Sequence, residues 1–218
     1  GSCVDKSGGL TEESIKKCPM NLIRMCGESI SAAALCERLF KNEDMYSGGG
    51  GVTFSGGEPL YQSDFLLECL KILKGRIHTA VQTSGFCGEP SFEKVLAATD
   101  CFLFDLKLAD EKEHIRYTGV SNKPILKNFE KLAASEKDFV VRVPLIPGVT
   151  DTEKNIEEIS KIMKKNKVFY AELLPYNKMA GGKYKALGRE YTPDFDREAK
   201  VNTRKSVFKK HGIEVKIL

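Results

Sequence analysis

Residues 52–62 read VTFSGGEPLYQ, an apolar strand that runs directly into two glycines, a carboxylate and a proline. Gly56 and Gly57 carry no side chains where the strand ends, so a ligand can approach the bare backbone. Glu58 adds a negative charge there. Pro59 stops the strand and begins the next helix, because it has no N–H and a fixed φ. The arrangement suits a ligand with an ammonium group, although an ordinary strand–helix turn, in which Glu58 favours the helix N-terminus, has the same composition.

The chain on both sides of this stretch alternates between strand and helix patterns. Apolar or β-branched runs predict strands near residues 51–55, 77–83, 101–107, 139–145, 168–174 and 213–217. Amphipathic patterns predict helices near residues 29–43, 61–74, 90–98, 123–135, 151–165 and 194–211. Thr150-Asp151-Thr152-Glu153 has the spacing of a capping box for the fifth of these helices. Strands that alternate with helices are typical of a parallel sheet covered by helices.

The composition indicates one soluble globular domain, with 41% hydrophobic and 29% charged residues in 218. The net charge of +4 comes from interspersed charges rather than a dense basic stripe, so no nucleic-acid partner is expected. No apolar run reaches the roughly 18 residues of a membrane span. Seven cysteines without a CxxC pair predict a reducing, cytoplasmic location, with Cys69 and Cys101 as small buried hydrophobes.

Polar residues stand at the carboxyl end of nearly every predicted strand. In chain order they are Gly56, Gly57 and Glu58; Gln82, Thr83, Ser84 and Gly85; Asp105 and Lys107; Arg142; and Tyr176 and Asn177. Ligands bind at the carboxyl ends of parallel strands in barrels and in open sheets alike. Five consecutive strands with polar ends imply a single site that they surround, which favours a curved, barrel-like sheet over an open one.

The charged residues among them need partners. Asp105 and Lys107 are two residues apart and share one face of a strand, and Arg142 interrupts an apolar strand. Buried charges must pair with each other or with a ligand, so structural ion pairs, including one between Arg142 and an acid such as Asp105, are alternatives. A ligand with an ammonium group, a carboxylate and hydroxyls would satisfy them all. The three histidines are interpreted as surface or helix-end residues; they are His78, His114 and His211.

Five segments together resemble a known family. FSGGEPL, QTSGF, DLK, RVPLIPGVTD and LLPYNKMAGGKYKALGREY occur in that order, and the resemblance covers residues 18–218. The chain is similar to radical S-adenosyl-L-methionine (SAM) proteins, specifically to glycyl-radical-enzyme activating enzymes of the pyruvate formate-lyase activating type. The resemblance implies a partial (β/α) barrel, TIM-like and made of parallel strands. It further implies that SAM is bound by Gly56, Gly57, Glu58, Thr83, Ser84, Asp105, Lys107, Arg142 and Asn177.

Within that set, the resemblance assigns the SAM ammonium to the Gly56-Gly57-Glu58 motif and the methionine carboxylate to Arg142. Two positions depart from the family pattern. Gln82 stands where some members have an aspartate that helps to hold a monovalent cation, which puts a cation site in doubt. Asn177 stands where pyruvate formate-lyase activating enzymes often have histidine, a variant more typical of activating enzymes for other glycyl radical enzymes.

The resemblance also implies a reaction, cofactors and partners. A 4Fe-4S cluster, reduced by a donor such as flavodoxin or ferredoxin, cleaves SAM to methionine and a 5′-deoxyadenosyl radical. The radical takes a hydrogen atom from a glycine of a partner, pyruvate formate-lyase or a relative. The protein contributes orientation and exclusion of water.

The largest departure is that no CxxxCxxC loop, which the family uses to hold its cluster, occurs in these 218 residues. We therefore expect an N-terminally truncated barrel that lacks the first βα unit, has no catalytic residue of its own and is inactive. Residues 1–28 are interpreted as the remnant of a ferredoxin-like insert, with Cys18 as a possible auxiliary-cluster ligand, and residues 29–218 as the barrel. The alternatives are a non-catalytic binding module, or a barrel enzyme that binds a phosphorylated metabolite at Gly181-Gly182.

Overall fold

The computed structural model describes residues 27–46, 48–177, 182, 184 and 190–218. The strands are β1 (Val52–Phe54), β2 (Thr79–Thr83), β3 (Cys101–Asp105), β4 (Asp138–Leu145), β5 (Tyr170–Pro175) and β6 (Glu214–Ile217). The α-helices are α1 (Ala32–Phe40), α2 (Ser63–Leu73), α3 (Glu89–Ala98), α4 (Glu111–Thr118), α5 (Lys123–Ala133), α6 (Glu153–Lys165) and α7 (Lys205–Lys210). Short 3₁₀ helices cover Glu43–Tyr46 and Pro59–Gln62.

The six strands form one sheet in the order β1-β2-β3-β4-β5-β6, and every neighbouring pair is parallel. Within the described part of the chain β1 and β6 each pair on one side only, so the sheet is not closed. Consecutive parallel strands with helical crossovers make a partial barrel, which confirms the predicted fold class. Since all strands run the same way, their carboxyl ends meet at one edge of the sheet.

The main core lies between the sheet and its helices. Phe102 and Phe104 of β3 point toward the helices and are fully buried, as are Phe92 of α3 and Phe129 of α5. Their rings contact one another with centroids 5.4–6.4 Å apart. Burying each such side chain contributes about 1.5–3 kcal/mol, so this aromatic cluster anchors β3 firmly in the centre of the sheet.

A second apolar cluster joins α1 to α2. Its buried members are Ala32, Cys36, Cys69, Leu73 and Ile77. Cys69 is fully buried, as predicted, and desolvation raises the pKa of its thiol to about 12. Cys101 is only partly buried, since it lies on the face of β3 that points away from the helices. Burial leaves the Cys69 thiol protonated and unreactive.

Two predictions about helix ends are wrong. Only Lys205–Lys210 of the predicted helix 194–211 is helical. Bends and turns occupy much of the stretch before it, and Asn202 N donates to Asp151 Oδ2 at 2.8 Å instead of to a helical carbonyl. The N-cap of α6 is Thr152, whose side chain accepts from Asn155 N at 3.2 Å, rather than Thr150. Thr150 is instead buried and donates to Pro144 O at 2.6 Å.

His114 is not at the surface either, since it is 3% exposed. Its Nδ1 lies 2.7 Å from Val120 O and ties the end of α4 to the following loop. Residues 1–26 of the predicted N-terminal unit 1–28, including Cys18, fall outside the described residues, which begin at Gly27. No helix in the described part of the chain is both long and apolar enough to span a membrane.

Candidate functional site

The turn after β1 presents open backbone at the carboxyl edge of the sheet. Gly56 has φ +125°, a conformation that residues with side chains rarely adopt, so glycine is required there. No other atom lies within 4 Å of the points where side chains on Gly56 or Gly57 would begin. Both glycines are exposed. The turn therefore leaves room for a ligand to contact the main chain, as its sequence predicted.

Glu58 joins this turn to the end of β2. Its Oε1 accepts hydrogen bonds from Leu60 N at 3.1 Å and Thr83 Oγ1 at 2.5 Å. Its Oε2 accepts from Ser84 N at 2.9 Å and Ser84 Oγ at 2.6 Å. A carboxylate has about four lone-pair sites, so these donors occupy them. Glu58 thus brings negative charge to the edge of the sheet, while Thr83 and Ser84 hold its carboxylate in place.

Asp105 ends β3 with one carboxylate oxygen unused. Its Oδ2 lies 3.3 Å from Lys107 Nζ, whereas its Oδ1 is buried without a hydrogen-bond partner. Burial raises the pKa of this carboxyl, and the negative charge of Glu58 raises it further. The positive charges of Lys107 and Arg142 oppose that rise. All three of those charged groups act electrostatically on Asp105, so the structure brings the predicted charged residues to one place.

Arg142 lies opposite Asp105 in the register of β3 and β4, and opposite Glu172 in the register of β4 and β5. Its Nε donates to Glu172 Oε2 at 3.0 Å, and both side chains are largely buried. The expected structural pair thus involves Glu172 rather than Asp105. Glu172 was missed in the sequence, although it interrupts the apolar strand β5 just as Arg142 interrupts β4.

The remaining predicted residues lie around this centre. Gln82 shares the face of Asp105 and Arg142, and its Oε1 is 3.5 Å from Ser55 Oγ. Asn177 is exposed two residues after β5. Next to it, the hydroxyl of Tyr176 lies 3.2 Å from that of Tyr191. Of the proposed phosphate loop, Gly181 falls outside the described residues.

The site suits one of the two implied cofactors. Its unused Asp105 oxygen, the terminal amino groups of Arg142 and the open Gly56-Gly57 backbone match the charges and donors of the amino-acid end of SAM. A cluster does not fit in the same way. The described residues contain no group of three or more His, Cys, Asp or Glu placed to hold a metal ion, and the four described cysteines are free.

Similarity to known proteins extends over most of the chain. Residues 34–161 match the family model described as "Radical SAM superfamily". The 4-hydroxyphenylacetate decarboxylase activating enzyme of Clostridioides difficile (strain 630) is 36% identical over 182 residues, which are 82% of this chain and 58% of that protein. The (2S)-3-sulfopropanediol dehydratase activating enzyme of Klebsiella oxytoca is 36% identical over 198 residues, 88% of this chain and 61% of that protein.

Among solved structures, a domain of pyruvate-formate lyase-activating enzyme from Bacteroides vulgatus ATCC 8482 superposes with a TM-score of 0.59 at 27% identity. The alignment covers 77% of this chain and 98% of that domain. By contrast, the chain spans about three fifths of the length of the two curated relatives.

Proposed function

The chain belongs to the radical SAM superfamily, and from that premise we propose that it is the SAM-binding part of a glycyl-radical-enzyme activating enzyme. Enzymes of this superfamily use SAM and a 4Fe-4S cluster, which supply one-electron cleavage of the sulfonium and hydrogen abstraction. The observation that supports the proposal best is the convergence of Glu58, Asp105 and Arg142 at one edge of the sheet. Their charges complement those of an α-amino acid.

Each residue has a role in this proposal. The terminal amino groups of Arg142 bind the SAM carboxylate, because its Nε alone is used by Glu172. Asp105 Oδ1 accepts a hydrogen bond from a SAM donor, and the positive charge of Lys107 favours the charged form of the Asp105 carboxyl. The Gly56-Gly57 backbone and the charge of Glu58 face the ammonium group. Thr83 and Ser84 orient Glu58, and Asn177 contacts the nucleoside at the outer rim.

The partner in this proposal is a glycyl radical enzyme. The names of the relatives indicate a decarboxylase or a dehydratase as readily as pyruvate formate-lyase, and Asn177 favours the wider group. A small redox protein such as flavodoxin or ferredoxin supplies the electron. The residues described here contribute binding and orientation of SAM, and the barrel wall excludes water from the reacting end.

Calorimetric titration of the chain with SAM tests the proposal. Arg142→Ala should weaken binding by about tenfold or more, since a charge-assisted hydrogen bond contributes roughly 1.5–3 kcal/mol. Arg116→Ala is the matched control, because Arg116 is an exposed arginine of α4 that pairs with Asp194 at the surface. Equal SAM affinities for wild type and Arg142→Ala would remove Arg142 from the site and refute the proposal.

A non-catalytic binding module is the second candidate. The lack of a metal-binding group in the described residues favours it. The two candidates share the SAM site and differ in whether the chain carries redox chemistry. Anaerobic reconstitution with iron and sulfide separates them.

A further inference from the structure

The charges on the face of the sheet that points away from the helices form a transverse row. Asp105, Arg142, Glu172 and Lys216 lie side by side in the registers of β3 to β6. Their signs alternate from one strand to the next. Adjacent side chains on parallel strands are close enough to interact, so each charge in the row has an opposite charge on at least one side.

Arg142 therefore has two possible carboxylate partners, one on each neighbouring strand. Among the described residues its hydrogen bond goes to Glu172, through Nε at 3.0 Å, while Asp105 Oδ1 remains buried and unpaired. If the Arg142 guanidinium turned toward Asp105, its terminal amino groups would pair with Asp105 Oδ1. They would then no longer be available to a ligand. The bond to Glu172 opposes this turn, because the guanidinium is a rigid planar group and turning it toward Asp105 would pull Nε away from Glu172.

We propose that Glu172 is a positioning residue that holds Arg142 away from Asp105, so that the terminal amino groups of Arg142 stay available for the SAM carboxylate. The proposal rests on the SAM site proposed above. Glu172 itself does not touch SAM in this proposal. It acts only through Arg142, and its side chain, 14% exposed, lies beside that of Arg142, 18% exposed, at the border between the sheet and the solvent.

A merely structural ion pair makes a different prediction. Replacing one member of such a pair would destabilise the packing of β4 against β5. The affinity of the site for every ligand would then fall to a similar degree. Positioning of Arg142 affects the carboxylate of the ligand most, because that group is the one that Arg142 binds. The two roles are therefore separated by a pair of ligands that differ only in that carboxylate.

The test compares SAM with decarboxylated SAM, which keeps the amine, the sulfonium and the adenosine. Affinities are measured by calorimetry on the full 218-residue chain as wild type, Glu172→Gln and Glu172→Asp. We expect Glu172→Gln to lose about tenfold more affinity for SAM than for decarboxylated SAM, because only SAM has the carboxylate that Arg142 binds. Glu172→Asp keeps the charge and should recover part of the loss. Glu136→Gln is the control, since Glu136 is exposed in the loop before β4.

A double variant adds a second readout. If Glu172 acts through Arg142, Glu172→Gln combined with Arg142→Ala should bind SAM no more weakly than Arg142→Ala alone. Equal losses for SAM and decarboxylated SAM, or no loss for either, would overturn the role of Glu172 while leaving the SAM site intact. A wild-type chain that binds neither compound would overturn the proposed function together with this inference. Far-UV circular dichroism of each variant confirms that it is folded.

Discussion

Gly85 couples the candidate site to the aromatic core, and replacing it by alanine tests that coupling. Gly85 has φ +76°, and a side chain there would begin 2.4 Å from Cζ and 2.6 Å from Cε2 of Phe104. Phe104 is fully buried and cannot move aside without disturbing Phe92 and Phe129. The substitution therefore combines backbone strain with overpacking.

The two costs can be separated with a matched glycine. Gly75 has the same φ of +76°, but no atom lies within 4 Å of the point where its side chain would begin. Gly75→Ala should thus lower the free energy of unfolding by about 1 kcal/mol, the cost of the left-handed conformation alone. Gly85→Ala carries the same cost plus about 1–3 kcal/mol for overpacking, roughly 2–4 kcal/mol in total.

Urea unfolding followed by circular dichroism measures both variants. The midpoint for Gly85→Ala should fall well below that for Gly75→Ala, with similar dependence on urea concentration. Adding Phe104→Leu to Gly85→Ala should restore part of the loss, because it removes the atoms that the new methyl group meets. Equal urea midpoints for the two glycine variants would refute the reasoning, since they would show that Phe104 moves aside with no loss of stability.

Two further predictions concern charge and metal. Burial raises the pKa of Asp105 above its ordinary value of 3.8, so protonation favours the folded chain. Stability should therefore fall as pH rises from that value through the folded-state pKa. Asp105→Asn should be more stable than wild type to urea at about pH 7, with a smaller difference near pH 3.8; a difference that does not depend on pH would contradict this. The 218 residues contain no CxxxCxxC, so anaerobic reconstitution with iron and sulfide should produce no 4Fe-4S cluster with one open iron site. A Mössbauer spectrum of such a cluster would contradict that expectation and favour a complete redox enzyme over a binding module.

The strands and most helices could be predicted because their signals are local. The spacing of apolar residues acts over a few positions, and so do turn residues such as those of Gly56–Pro59. The structure has all six strands where these patterns predicted them. The predicted helix 194–211 shows the limit of such signals. Asp151, far away in sequence, takes the Asn202 backbone hydrogen bond, and Arg204 lies in the left-handed region at φ 46° just before α7.

The sequence by itself determined which polar residues stand at the ends of the strands, since a parallel sheet brings those ends to one edge whatever its curvature. Only the tertiary structure decided which charge pairs with which. Arg142 and Glu172 are 30 residues apart, and their contact depends on the register between β4 and β5, which no local pattern specifies. The same holds for Glu58, whose four donors come partly from the next strand. Partners of buried charges are set by strand register and packing, because the energy of an ion pair depends on distances that exist only in the folded chain.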